Sequence, residues 1–175
     1  LDDDGNECPP GEVGEIYMRP RPGSRPTYRY IGSSAKQRPD ELGAWDSLGD
    51  LGWFDEEGYL YLTDRKSFMI ISGGVNIYPQ EIENHLVTHP KVQDVAVIGG
   101  PHEEMGEEVI AVIQPIDMAH ATDAFRAELT DFAREKLSGV KIPRRIDFLA
   151  ELPRHDTGKL YKRLLRDQYW EKVKK

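Results

Sequence analysis

Thr63-Asp64-Arg65-Lys66-Ser67-Phe68-Met69-Ile70-Ile71-Ser72-Gly73-Gly74-Val75-Asn76-Ile77-Tyr78-Pro79-Gln80-Glu81-Ile82-Glu83 is the stretch on which the reading of the chain turns. A charged patch ends a strand, and a short apolar run follows. The Gly73-Gly74 pair suits a tight turn with positive φ. Pro79 suits the first turn of a helix, where Glu81 and Glu83 complement the helix dipole. The stretch therefore reads as a junction, with one domain ending near Arg65 and a second beginning just after it.

Downstream, the second half reads as a unit. Ile82 and Leu86 share one face of the first helix, and Pro90 is expected to stop it. Val92 to Ile98 and Val109 to Ile113 are nearly continuous apolar runs, the pattern of buried strands. Thr122 is placed to cap a second helix. Phe125, Leu129, Phe132, Ala133 and Leu137 give that helix its apolar face, and Gly139 its C-terminal stop. Arg145-Ile146-Asp147-Phe148-Leu149 reads as a third strand. Tyr161, Leu164, Leu165 and Tyr169 read as the inner face of a last helix. The implied fold class is α+β: a small α/β sandwich of a three-stranded sheet with helices plus a short hairpin. It is preceded by a β-rich tail.

Upstream, Gly14-Glu15-Ile16-Tyr17-Met18-Arg19 reads as a strand. Residues 20–44 are rich in Pro, Gly, Ser and Arg and read as a long loop. Leu51-Gly52-Trp53-Phe54 and Tyr59-Leu60-Tyr61-Leu62 read as a hairpin around Asp55-Glu56-Glu57-Gly58. Two strands are not stable alone. Residues 1–65 are thus expected to be the end of a larger domain, 66–68 a hinge, 69–170 a second domain, and 171–175 a frayed tail.

Composition narrows the function classes. The 175 residues carry a formal net charge of −8, which disfavours a nucleic-acid partner. No apolar run is long enough to span a bilayer, and the first residues show no leader pattern. One cysteine, Cys8, cannot form an internal disulfide, and a reducing, cytoplasmic setting is expected. His85 and His89 stand four apart, a spacing that can bind zinc, but no third ligand is evident. They read as residues of a surface helix, and no metal site is assigned.

Chemistry concentrates in Leu152-Pro153-Arg154-His155-Asp156-Thr157-Gly158-Lys159-Leu160, between the third strand and the last helix. A lysine following a glycine on an exposed loop is a mobile positive charge. It suits developing phosphate charge better than acid–base work. Taken alone, Lys159 reads equally as a solvated surface lysine. Thr157-Gly158-Lys159 is too short for a P-loop.

Four segments together resemble the acyl-adenylate-forming enzymes, the family of acyl-CoA synthetases, adenylation domains and luciferases. Pro153 with Thr157-Gly158-Lys159 resembles the family's last signature. Gly49-Asp50-Leu51-Gly52 resembles its Thr-Gly-Asp-Leu-Gly element, with Leu48 where Thr or Ser is usual and Ser47 as a possible offset. Ser72-Gly73-Gly74-Val75-Asn76-Ile77-Tyr78-Pro79 resembles the corresponding acyl-CoA synthetase stretch, with Val75 replacing Glu. Asp64-Arg65 resembles the end of the family's large domain.

The resemblance implies that Lys159 is catalytic and contacts carboxylate and α-phosphate. It implies that Asp50 and Arg65 bind ATP, and that Ser67, at a position more often Asp or Lys, is the hinge. It implies that Gly73 and Gly74 leave room for the pantetheine arm of CoA. ATP, CoA, a carboxylic acid and Mg2+ are the implied partners, with the magnesium ligands outside these residues. The phosphate loop, magnesium motif and acyl pocket of the family are absent from this sequence. The chain is accordingly read as the C-terminal third of a fatty-acid–CoA ligase, inactive by itself. The alternatives are an adenylation domain that loads a carrier protein, or a free-standing domain that binds a nucleotide or a partner without catalysis.

Overall fold

A computed structural model describes residues 1–18, 36–40 and 43–171, with 36–40 and 43–44 described by their backbone alone. The chain divides into two compact units, Leu1–Ser67 and Phe68–Lys175.

The first unit is built on one long strand. β1 (Gly14–Met18), β2 (Lys36–Asp40), β3 (Gly43–Phe54) and β4 (Leu60–Arg65) form a four-stranded antiparallel sheet in which every other strand pairs with β3. Asp46 pairs with both Met18 and Gln37, and Gly52 with both Gly14 and Leu62. β1 therefore lies along one edge of β3, while β2 and β4 follow one another along the other. The expected hairpin is present. Its loop is closed by Asp55, whose Oδ1 accepts from the backbone N–H of Glu57 and Tyr59 at 3.0 and 2.9 Å. Trp53 stacks on Tyr61 across it at 4.4 Å between centroids. The loop expected over 20–44 is corrected in part, because residues 36–40 are a strand. Nothing apolar marks them. The open edge of β3 supplies the ladder, and Pro39 is tolerated because an outer strand can forgo a donor. The rest of that loop, Arg19 and the tail 172–175 lie outside the described residues.

The second unit is a mixed sheet with helices on both faces. It contains β5 (Ile70–Ser72), β6 (Val75–Ile77), α1 (Pro79–Leu86), β7 (Val92–His102), β8 (Gly106–Pro115), α2 (Asp123–Arg134), β9 (Arg145–Phe148) and α3 (Lys162–Glu171). β8 is central: β7 pairs with it antiparallel along its length, and β9 pairs parallel through Ile110–Ile113. These are the three expected strands. The expected short hairpin is β5–β6, joined to β8 at the single pair Ser72 and Gly106.

Side-chain alternation sorts the apolar residues of β7 and β8 into two cores. Val95, Val97, Val109, Ala111 and Ile113 pack with Ile82 and Leu86 of α1 and with Phe125 and Leu129 of α2. Ala96, Ile98, Ile110 and Val112 pack with Leu152 and with Leu165 of α3. This is why both strands read as unbroken hydrophobic runs. Each fully buried Val, Leu or Ile contributes roughly 1.5–3 kcal/mol.

The helix boundaries need physical amendment. Thr122 caps α2 as expected, its hydroxyl accepting from Phe125 N–H. α1 ends at Leu86, four residues before Pro90, because the chain tightens there: Thr88 and His89 N–H donate to His85 and Leu86 carbonyls. α2 ends at Arg134, and Gly139 starts a separate single turn of 3-10 helix. Gly99-Gly100-Pro101-His102 lie within β7, paired with β8 down to its first residue, Gly106. On α3, Leu164 is 40% exposed, and Lys162 takes a place on the inner face instead.

The histidines are also corrected, since both are buried. His85 stacks on Phe132 at 4.4 Å and its Nε2 lies 2.8 Å from the Phe132 carbonyl. His89 packs against Phe125 and Phe132. Aromatic packing and local polar contacts account for both, since His89 Nδ1 also accepts from Lys91 N–H at 3.3 Å and its Nε2 lies 3.4 Å from Glu128 Oε1.

Tyr169 on α3 gives this unit a pH signature. Burial, then its 2.5 Å hydrogen bond to Asp147 Oδ2, push the phenol well above the ordinary tyrosine value. The unfolded chain therefore loses this proton first as pH rises past about 10. Stability from this group is full below that pH and falls as pH climbs toward the folded value. In an ultraviolet phenolate titration, Tyr169→Phe should remove a late-titrating tyrosine and lessen the loss of stability above pH about 10.

Candidate active site

Local backbone chemistry builds each candidate position. Between Glu15 and Tyr17 of β1, the facing strand β3 spends four residue steps, from Leu51 back to Ser47. This bulge displaces Leu48-Gly49-Asp50, with Gly49 at φ +79°. It is braced from below. Ser47 is buried, its hydroxyl donating to Glu15 Oε1 at 2.6 Å and accepting from Gly49 N–H at 3.0 Å. Ser47 is thus committed to the interior, while Leu48 is exposed, so Ser47 does not replace a hydroxyl at position 48. Lys66 ties the same bulge: its N–H donates to the Gly49 carbonyl, and its ammonium pairs with Asp3 at 2.8 Å and Glu15 at 3.2 Å. The bond to Asp3, then that to Glu15, hold the ammonium above the ordinary lysine value.

Asp50 and Arg65 are cross-strand partners of β3 and β4. Arg65 Nε lies 3.1 Å from Asp50 Oδ1. Asp64 Oδ1 accepts from the Arg65 backbone N–H at 2.7 Å. Two residues that the motifs assign to one nucleotide therefore stand side by side, both partly exposed to solvent.

In the second unit, Gly73 and Gly74 form the two-residue turn between β5 and β6, at φ +57° and +80°. A hairpin of this length needs positive φ at both central residues, which selects glycine. The two are not equivalent. A Cβ on Gly73 would meet Met105 Cε at 2.5 Å, whereas one on Gly74 meets nothing within 4 Å. The Gly73 N–H also donates to the Met105 carbonyl at 2.9 Å. Met105 is a neighbour of the glycine pair that sequence reasoning missed.

Lys159 stands on a small closed loop. Arg154 and Leu160 form an antiparallel bridge, His155 N–H donates to the Lys159 carbonyl at 2.9 Å, and Gly158 N–H to His155 at 2.7 Å. Gly158 at φ +82° makes the reversal possible. Arg154 clamps it from the side. One guanidinium nitrogen donates to the Gly158 carbonyl at 2.6 Å and another to Asp94 of β7. His155 stacks on Tyr161 at 3.9 Å. The Lys159 side chain is exposed, and its ammonium has no partner among the described residues. The loop therefore presents one cation from a fixed backbone. Among the described residues no group of His, Cys, Asp or Glu is gathered to hold a metal.

Sequence reasoning also missed Glu83 and Lys162, both buried and paired with each other. A signal existed. Glu83 falls with Pro79, Ile82 and Leu86 on the helical face that is buried, and Lys162 falls three residues before Leu165.

Replacing each glycine of the turn measures its two constraints separately. Gly74→Ala should cost about 1–2 kcal/mol from positive φ alone. Gly73→Ala should cost only slightly more, because the Met105 methyl it meets ends a flexible side chain that can swing aside, and Met105→Ala should close that small gap. Denaturant unfolding of the single and double variants is the check; equal costs regardless of Met105 would remove the methionine from the account.

Comparison with known proteins bears on these features together. The AMP-binding enzyme C-terminal domain family matches residues 81–159. The chain is 38% identical to a long-chain-fatty-acid–CoA ligase of Escherichia coli O6:H1, over 99% of this chain and 30% of that one. It is 36% identical to the fatty acid–[acyl-carrier-protein] ligase ScoC of Streptomyces coeruleorubidus, over 97% of this chain and 32% of the other. It superposes on o-succinylbenzoate CoA synthetase from Bacillus subtilis, in complex with its acyl-adenylate intermediate. There the TM-score is 0.74 and the identity 34%, over 95% of this chain and 33% of that structure. The chain spans about a third of the length of the curated relatives it matches. Residues 81–159 match the AMP-binding enzyme C-terminal domain family, and along nearly all its length the chain is similar to the C-terminal third of adenylate-forming ligases.

Proposed function

We propose that this chain is the C-terminal portion of an ATP-dependent fatty-acid–CoA ligase, in a cytoplasmic setting. A carboxylate oxygen attacks the α-phosphorus of ATP and pyrophosphate leaves, giving acyl-AMP. The CoA thiol, losing its proton, then attacks the acyl carbonyl and AMP leaves. The observation that carries the reading is Lys159: an exposed ammonium with no partner among the described residues, on a clamped loop of the stretch that matches the AMP-binding enzyme C-terminal domain family.

A point cation of this kind stabilises charge that develops on phosphate oxygens in the transition state. It does so without becoming a nucleophile. Asp50 accepts from the ribose hydroxyls, as a carboxylate does well, and Arg65 binds ribose or phosphate oxygens beside it. The Gly73-Gly74 turn gives the pantetheine arm a path along bare backbone. Ser67, at the division between the two units, is the hinge about which the second unit exchanges Lys159 for the glycine turn. Magnesium's ligands, in this reading, lie outside the described residues, which gather no group of three His, Cys, Asp or Glu to hold a metal. The domain limits follow the same reading, with 1–65 closing the large domain, 66–68 the hinge and 69–170 the mobile domain.

Similarity to ScoC keeps a second reading in view, in which a carrier protein's thiol replaces CoA. The test uses the whole polypeptide that carries this chain. Pyrophosphate release is measured across a panel of carboxylic acids, with CoA or acyl carrier protein as acceptor. Turnover of fatty acids with CoA is expected; turnover only with the carrier selects the second reading. Lys159→Ala should lower acyl-AMP formation about 100- to 1000-fold, the range for losing one preorganised electrostatic contact. Thioester formation from supplied acyl-AMP should persist. Equal loss of both half-reactions would contradict the division of labour.

A further inference from the structure

Glu83 on α1 and Lys162 on α3 form a buried ion pair, with Nζ 2.7 Å from Oε1 and 2.8 Å from Oε2. Both residues are under a tenth exposed. Glu83 Oε1 also accepts from Val97 N–H of β7 at 2.6 Å. One carboxylate thus joins α1, β7 and α3. The first turn of α3 holds no acidic residue of its own, and Lys162 and Arg163 there oppose its dipole. Glu83 supplies the missing negative charge from another element.

The pair connects in two directions. On one side the Lys162 ammonium lies 5.3 Å from the centre of the Phe68 ring, and Phe68 is the first residue of the second unit. On the other side it anchors the chain three residues from Lys159. Tyr161 N–H donates to the Pro153 carbonyl at 2.8 Å, Leu160 bridges Arg154, and Lys159 accepts from His155. Each link is a backbone hydrogen bond, so the path from the ion pair to Lys159 has no slack residue.

We propose that Glu83 and Lys162 are positioning residues for Lys159, holding its loop in register with Phe68, where the unit begins. The inference rests on the assignment of Lys159 to acyl-AMP formation. Burial alone does not require this pair, since an apolar pair of similar volume would cost less desolvation. A fixed charge pair supplies a single geometry, which matters when a reacting cation must meet phosphate.

The experiment uses the full polypeptide and the acid it turns over fastest in the panel. Lys162→Met, Lys162→Arg, Glu83→Gln and Lys159→Ala are compared for ATP–pyrophosphate exchange, for thioester formation from supplied acyl-AMP, and for thermal midpoint. Lys162→Met should lower kcat of exchange about 10- to 100-fold at little changed KM for ATP, the loss expected for misplacing a reacting group by about an ångström, with the thioester step within about twofold. Lys162→Arg should recover most of the exchange rate. Should Lys162→Met fail to fold, Glu83→Gln, which keeps an acceptor for Val97 N–H, must show the same split.

Equal loss of both half-reactions, or exchange unaffected in a folded variant, would overturn the positioning role and leave the pair to the fold. If instead Lys159→Ala retains full exchange, or the wild type is silent with every acid, the ligase assignment itself fails and the positioning role falls with it.

Discussion

The second unit depends on one constraint: β7 and β8 bury both of their faces. A hairpin with two dry sides needs a cover on each, and the chain supplies α1 and α2 for one and α3 for the other. Everything chemically interesting in this unit hangs from those covers or from the hairpin's ends. The glycine turn is attached where β8 begins, through the pair Ser72 and Gly106. The Lys159 loop lies just before α3 and is clamped to Asp94 of β7. The same two strands that make the core thus also set where the two candidate chemical elements begin.

The first unit solves a different problem. Among its described residues Leu51 is the one buried apolar side chain, and its candidate site is made by backbone irregularity. A bulge in β3 displaces Asp50, and Glu15 beneath it gathers Ser47 and Lys66 to hold the bulge in place. Charged residues at a bulge are easily read as solvated decoration. Here the buried carboxylate of Glu15 is what fixes Gly49 relative to its neighbours.

What could be read in advance followed from local rules. Pro79 at a helix start, Thr122 as a cap and Gly73-Gly74 as a turn each act within a few residues, and each is found where the sequence predicts. Nearly continuous apolar runs likewise marked β7 and β8. The failures share one cause, which is that burial of a polar group is decided by a partner far along the chain. Glu83 meets Lys162 seventy-nine residues away. His85 and His89 meet the rings of α2, and the strand at 36–40 exists because β3 has an open edge. For Glu83 the helical spacing did carry the information, but an acidic residue in a first turn has a ready local explanation that masked it. For the candidate site, the motif residues were legible, whereas Arg154, Asp94 and Met105, which hold or flank them, were not.

The loop around Lys159 separates two kinds of order. Its backbone is fixed by the bridge at Arg154, the bonds between His155 and Lys159, and the guanidinium on Gly158. Its side chain has four torsions and, among the described residues, nothing to hold them. Immobilising such an arm costs about 2 kcal/mol of rotamer entropy, which the fold leaves unspent until an anion arrives. An arginine here would keep more of its geometry when free and, with its fork of donors, release an oxyanion less readily. A lysine whose root is rigid and whose tip is loose gains its attraction late and gives it up easily, which suits the role proposed for Lys159.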